Sequence, residues 1–306
     1  MIVELHAKSD VGRVRRGNED NFLVLDLSSR KTWTGSDGVE PPAELTKLDL
    51  GNQGLVLVVS DGMGGALAGD VASRMAVDSV RDMLIGPNSD DGSDEDLVDF
   101  LKKATVYANS EIHLKSQEDS RCAGMGATFT GAAVKGDILD LVQVGDSRGY
   151  IIRKDHIRLA TKDQSLVQQL VDVGQITESE AETHMFRNVI LQALGAQNEI
   201  APVTGKIRLR RGDTLLLCSD GLSGKLRSED IQNIVNSNSE LRTACDELVA
   251  EANNRGGEDN ITVVLARFSG DDLEDPKSDH VTIELPHLDE DPTLDDNYEA
   301  DTEPRG

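Results

Sequence analysis

The chain has 306 residues, 38% hydrophobic and 28% charged, the balance of a soluble globular protein of one large domain or two smaller ones. Its formal charge of -25 opposes the phosphate backbone of nucleic acid and anionic membrane surfaces. No apolar run approaches the roughly 20 residues that span a bilayer.

The charge is uneven. From residue 271 to the end, 14 acidic residues stand against Lys277 and Arg305, so the preceding chain is only moderately acidic. Cys122, Cys218 and Cys245 show neither paired nor metal-type spacing and read as reduced thiols. The first residues lack the basic-then-apolar layout of a signal peptide, and a cytoplasmic location is expected.

Residues 3–8 predict a first strand, and residues 9–20 a loop dense in both signs of charge. A second strand is expected at 22–27. Residues 28–53 mix Ser, Lys, Gly and Pro without periodicity, the pattern of a surface excursion. Residues 55–60 read as a buried strand that stops at Asp61, between small residues and glycines. Two readings are open for Asp61 and Gly62 alone. Asp-Gly is a strong turn dipeptide, and it is also an oxygen ligand delivered by a rigid strand to a place that glycine leaves open.

Apolar residues at helical spacing predict helices at 66–85 and 97–116, separated by an acidic, Ser-rich loop. Strands at 128–134, 138–144, 150–153 and 156–160 read as an antiparallel meander, with Gly145, Asp146 and Ser147 between two of them. Residues 163–196, with a short helix at 165–173 and a capping-type sequence at 177–180, have the character of a lid. A hairpin is expected from 207–210 and 214–218, ending in Ser219, Asp220 and Gly221. Helices at 228–236 and 240–253 and a strand at 261–268 follow.

This order predicts an α+β fold, a four-layer α-β-β-α sandwich of two antiparallel sheets flanked by helix pairs. It spans 1–268, and 269–306 is expected to be an acidic, disordered tail.

Five carboxylate stations stand at strand ends or in glycine-rich turns: Glu19 with Asp20, then Asp61, Asp146, Asp220 and Asp259. Stacked sheets can bring such ends to one edge, where four or more carboxylates repel severely without a cation. Oxygen ligands without His or Cys favour hard ions, Mg²⁺ or Mn²⁺, and several carboxylates favour a pair.

Seven motifs then occur in one order: residues 10–20 (DVGRVRRGNED), 59–65 (VSDGMGG), 124–128 (GMGAT), 144–148 (VGDSR), 161–165 (TKDQS), 218–222 (CSDGL) and 257–262 (GEDNIT). On these the chain resembles the metal-dependent protein serine/threonine phosphatases of the protein phosphatase 2C, or PPM, family in its bacterial form. The resemblance covers about residues 1–268. It implies hydrolysis of phosphoserine and phosphothreonine in proteins by a water bridging two Mn²⁺ or Mg²⁺ ions. The implied partners are phosphoproteins made by a Ser/Thr kinase, or the kinase itself.

Carried over by position, Asp61 bridges the ions and Gly62 offers its carbonyl. Asp220 and Asp259 hold the second ion, Glu19 is a further ligand, Asp20 orders the water, and Asp146 matches the position of a weaker third ion. Arg15 is the phosphate-binding candidate, because a guanidinium presents a planar fork of donors that lysine lacks. Its neighbours Arg13 and Arg16 read as solvated surface charges.

The chain also departs from the family pattern. Met63 stands where some relatives have histidine, Gln164 where histidine is commoner, and Met185 where proline is commoner. Gly224 replaces a carboxylate found in many relatives, which weakens the case for the third ion. His184 reads as a structural lid residue, Met63 and Met75 as packing residues, and Cys122 as a silent thiol rather than a redox switch. A catalytically silent phosphoprotein-binding regulator of the same fold is the alternative to an enzyme, and a phosphatase acting on a small phosphorylated regulator is the other. In the tail, Asp296 lies three residues after Thr293, an arrangement that forkhead-associated phosphothreonine readers prefer. A solvating tail with an incidental threonine is the plainer reading.

Overall fold

The computed structural model describes residues 1–36, 40–65, 68–86 and 96–284; the segment with Thr293 lies outside the described residues. The chain opens with β1 (Ile2–Asp10), β2 (Asp20–Asp26), β3 (Lys31–Thr34), the short α1 (Ala43–Thr46), β4 (Lys47–Asp49) and β5 (Leu55–Met63). Two helices follow, α2 (Ala68–Ile85) and α3 (Leu97–Glu118), and then β6 (Gly126–Ala127), β7 (Phe129–Lys135), β8 (Ile138–Val144), β9 (Arg148–Arg153) and β10 (His156–Leu159). Residues 163–196, expected as a lid, contribute α4 (Leu166–Asp172) and α5 (Glu178–Thr183). β11 (Val203–Arg208), β12 (Thr214–Cys218), α6 (Asp220–Ser223), α7 (Ser228–Ser237), α8 (Leu241–Asn254) and β13 (Ile261–Ser269) complete the order.

One sheet runs β10-β9-β12-β13-β1-β4 and the other β11-β8-β7-β5-β2-β3, with β6 paired to β5. All of the pairs are antiparallel. Between the sheets lies a core that includes Val3, Leu5, Trp33, Leu57, Leu215 and Phe268. Helices α2 and α3 cover one outer face through Val77, Val80, Leu101 and Ile112, packed with Leu23 and Val58. Helices α7 and α8 cover the other through Ile231 and Leu248, packed with Leu216 and Val263. This is the four-layer sandwich. β5 explains the continuous apolar run: Leu55, Leu57 and Val59 face the other sheet while Val56 and Val58 face the helices, so both faces are buried.

Two expected connections are wrong in an informative way. The meander breaks at Gly145–Ser147, because β8 belongs to one sheet and β9 to the other. The hairpin does not exist either: β11 pairs with β8, whereas β12 pairs with β9 and β13. The crossing at 209–213 is held by Asp213, which is fully buried, accepts two hydrogen bonds from Arg153 (2.8 and 2.7 Å) and accepts the Arg210 N–H (2.8 Å). A local pattern of strand, turn and strand cannot show that a buried ion pair sends the second strand to another layer.

The excursion at 28–53 is also more ordered than its composition predicts. It places β3 in one sheet and β4 in the other, and buries Trp33, Leu45 and Leu48 in the central core. These three anchors are too far apart to produce a period.

The chain does not leave the domain at 268. Residues 270–284 cross from the β9–β10 edge of one sheet to β11 at the edge of the other. Arg153 and Arg158 donate to the carbonyls of His280 and Val281, and Lys206 and Glu284 exchange backbone hydrogen bonds. Leu273 and Val281 are buried in the central core. A chain ending at Ser269 should therefore lose about 3–6 kcal/mol for these two side chains, read by urea unfolding against the full-length chain. Among the described residues, no helix is long and apolar enough to cross a membrane.

Candidate active site

One end of the sandwich collects the polar stations because the chain changes sheets there. β1 ends at Asp10 in one sheet and β2 begins at Asp20 in the other, with the loop carrying Arg15 between them. The register of β2 and β5 sets Asp20 directly opposite Asp61. Asp146 lies in the crossing from β8 to β9, Asp220 opens α6 at the end of β12, and Asp259 precedes β13.

Neighbouring groups fix the backbone or side chain of several of these acids. Asp61 donates its N–H to Thr128 Oγ1 (2.9 Å) and its carbonyl accepts the Thr128 N–H (2.8 Å). Asp20 Oδ2 accepts the Ser219 hydroxyl (2.7 Å). Asp220 lies close enough to Asp61 for each acid to act on the other's charge. Asn260 staples the Arg15 loop to β13: its Nδ2 donates to the carbonyls of Val11 and Gly17 (both 2.9 Å), and its Oδ1 accepts the Glu19 N–H (2.8 Å). Arg15 Nη2 donates to Asp259 Oδ2 (2.8 Å), and its Nη1 lies 3.9 Å from Glu19 Oε1.

Glycines clear the space. A Cβ on Gly62 would lie 2.0 Å from the Gly69 carbonyl oxygen, and one on Gly69 would lie 2.0 Å from Glu19 Oε2. Glu19 therefore packs against the first turn of α2, an approach that only glycine permits.

The electrostatics are those of crowded, buried acids. Burial, reinforced by Asp220 and Asp259 and opposed by the hydrogen bond from Ser219, pushes Asp20 up to about 7. Burial and then repulsion from Asp220 and Asp163 push Asp146 to about 7 as well. Asp61 is raised well above the carboxylate range by burial and by Asp20, Asp220, Asp146 and Asp259. Asp220 rises through burial and Asp259, and Glu19 through burial, with Arg15 opposing.

Among the described residues no group of three or more His, Cys, Asp or Glu is pre-set around one point as a metal cage. The donor set nonetheless fits hard cations. Among the described residues, Asp20 Oδ1 and Asp220 Oδ1 are buried without a hydrogen-bond partner, a costly state that a cation relieves. The acids are oxygen donors only, and their mutual repulsion falls when a cation enters.

The family model described as Protein phosphatase 2C matches residues 46–265. The chain belongs to the protein phosphatase 2C family. The serine/threonine phosphatase stp of Listeria monocytogenes serovar 1/2a is 35% identical over 263 residues, covering 85% of this chain and 95% of its own. The crystal structure of the Mycobacterium tuberculosis serine/threonine phosphatase PstP/Ppp superposes with a TM-score of 0.71 at 34% identity, covering 88% of this chain and 100% of that one. The catalytic domain of PstP in complex with two manganese ions gives a TM-score of 0.69 at 33% identity, covering 88% and 99%.

Within this protein phosphatase 2C domain, Arg15, Glu19, Asp20, Asp61, Gly62, Asp146, Asp220 and Asp259 all lie at the same end of the sandwich. Other residues there were not singled out by the sequence: Ser219 on Asp20, Thr128 on Asp61, Asn260 as staple, and Gly69 behind Glu19. Ser219 and Asn260 adjoin motif acids and Thr128 ends a motif, so adjacency was their available signal. Gly69 had none. His184 caps its own lid turn, its Nδ1 accepting the Phe186 N–H (3.2 Å), and Met63 packs against Gly126. The three cysteines are free and buried; burial pushes the Cys218 thiol up to about 12.

Proposed function

We propose that this protein hydrolyses phosphoserine and phosphothreonine esters in phosphoproteins, with two Mn²⁺ or Mg²⁺ ions held by Asp61, the Gly62 carbonyl, Asp220, Asp259 and Glu19, and a weaker ion at Asp146. The observation that carries the reading is the pair of orphaned carboxylate oxygens, on Asp20 and Asp220, in the acid cluster around Asp61. When bound, the ions neutralise charge on the phosphoryl oxygens and lower the proton affinity of the attacking water.

The chain's own residues do the rest. Asp20, with Oδ2 held by Ser219, accepts from the attacking water and aligns it. Arg15 is anchored on Asp259 by one nitrogen and turns its remaining donors to the phosphate. Met63 has no proton to give, so the leaving serine or threonine oxygen takes one from water. The substrates are products of a Ser/Thr kinase, and the manganese pair in PstP supports Mn²⁺ as the first ion to try.

The test is phosphate release from a panel of phosphopeptides and phosphoproteins with Mn²⁺, with Mg²⁺ and with chelator. Release that is indifferent to chelation would end the metal reading, and no release from any phosphoserine or phosphothreonine substrate would end the enzyme reading. Arg15→Lys should raise KM by roughly 10- to 100-fold, the worth of one charge-assisted hydrogen bond at about 1.5–3 kcal/mol, with kcat less affected.

A further inference from the structure

The lid and the turn that carries Asp146 are joined through one side chain. Gln164 donates its backbone N–H to the Gly145 carbonyl (3.1 Å), and its Oε1 accepts the Gly145 N–H (2.7 Å). Its own carbonyl accepts the Leu191 N–H (2.8 Å), and Gln192 Nε2 donates to the same Oε1 (3.3 Å). Gln192 is in turn bound both ways to Ala201: Nε2 donates to the carbonyl (3.1 Å) and Oε1 accepts the N–H (2.7 Å). Gln164 thus gathers the first residues of the lid, its last residues and the residue before Asp146.

The turn has little slack on its other side. Gly145 sits at φ +99°, and a Cβ there would lie 2.8 Å from Thr128 Cγ2. Gln143 Nε2 donates to the carbonyls of Gly145 (2.9 Å) and Ser147 (2.7 Å). The Ser147 and Thr128 hydroxyls are hydrogen-bonded (2.7 Å), and Thr128 Oγ1 accepts the Asp61 N–H. A continuous set of bonds therefore runs from the lid base, through Gly145 to Ser147, to Asp61.

We propose that Gln164, supported by Gln192, is a positioning residue that holds Asp146 from the lid side, so that seating of the lid and binding of a cation at Asp146 are coupled through the Gly145 amide. The proposal rests on the assignment of Asp146 to the metal centre. The Gly145 residue is buried, so removing the Oε1 acceptor leaves its N–H unpaired and frees the turn to shift. Ligands depend on such supporting bonds for their placement. The coupling is reciprocal: a cation that fixes Asp146 also steadies the lid base.

The test uses the full-length chain and Mn²⁺. Isothermal titration gives the Mn²⁺ affinities, and hydrogen exchange reports on residues 164–168 and 190–194 with and without Mn²⁺. In the wild type, Mn²⁺ should slow exchange at both ends of the lid. Gln164→Met, which keeps length and loses the acceptor, should weaken the weakest Mn²⁺ site by about 10- to 100-fold, spare the tighter sites and abolish that protection. Gln164→Glu, which keeps an acceptor, should restore it, and Gln192→Ala should have a smaller effect of the same sign. Should Gln164→Met fail to fold by circular dichroism, Gln192→Ala decides alone.

Asp146→Asn separates the two layers of the argument. If it loses the weak site while Gln164→Met and Gln192→Ala bind Mn²⁺ as the wild type does, the coupling is wrong and the assignment of Asp146 stands. If Asp146→Asn binds every ion as the wild type does, the assignment falls and the coupling with it.

Discussion

Asp61→Asn should reduce kcat/KM for phosphopeptide hydrolysis by on the order of 10³-fold, about 4 kcal/mol of lost transition-state stabilisation. Asp61 is the residue on which the site converges: it lies opposite Asp20 in the β2–β5 register and under the electrostatic influence of Asp220, Asp146 and Asp259. The amide keeps the side chain's size and one oxygen but removes the charge that would hold two cations. The same substitution should raise the melting temperature of the metal-free protein at alkaline pH, because it removes one acid that would otherwise have to ionise inside a crowded, buried set. An inactive but stabler variant is the expected pair of results, since function here requires an arrangement that folding opposes. Wild-type activity in Asp61→Asn would overturn the assignment of the centre, and an inactive variant that melts well below the metal-free wild type would point to misfolding instead.

The metal-free protein should lose stability as pH rises from the ordinary carboxylate range to about 7, and Mn²⁺ should reverse the loss. Burial first, and then neighbouring acids, raises Asp20 and Asp146 to about 7, and Asp61 also rises. A raised folded-state value means that the folded protein holds these protons more tightly than the unfolded chain does. The stabilising effect is then fully present below the unfolded value and is lost as pH climbs through the folded one. A cation takes the place of the protons and binds the ionised acids, so its effect has the opposite pH dependence. At a hundredfold excess over Kd, each ion should contribute about 2.7 kcal/mol, or roughly 5–10 °C in melting temperature for a domain of this size. Melting curves at about pH 5 and about pH 8, with chelator and with Mn²⁺, should show the larger Mn²⁺ shift at the higher pH. An equal shift at both would mean that the acids do not bind the ion.

Much of this site was legible because its parts are local. An acid after an apolar strand and beside glycine, as at Asp61 or Asp220, is visible within a few residues, and the hard-ion preference follows from ligand chemistry alone. The helices and most strands were legible for the same reason, since period 3.6 and period 2 are short-range signals. Several supports were not. Ser219 reaches Asp20 across 199 positions and Asn260 reaches Glu19 across 241, and no window of sequence contains such pairs. Gly69 carries no pattern of its own, because its role is to lack a side chain where Glu19 arrives.

By itself, then, the sequence determined the layer order, the acidic oxygen-donor chemistry and the family, each written in short-range periodicity or in motifs of a few residues. The tertiary structure decided which strands share a sheet. The buried Arg153–Asp213 pair and the glycine-bearing turn before Asp146 send the chain across the sandwich where local pattern suggested a hairpin and a meander. It also decided that residues 270–284 belong to the domain, since the burial of Leu273 and Val281 outweighs the acidity around them. Crossing points bring separate acids together at one end, and burial there raises their affinity for protons.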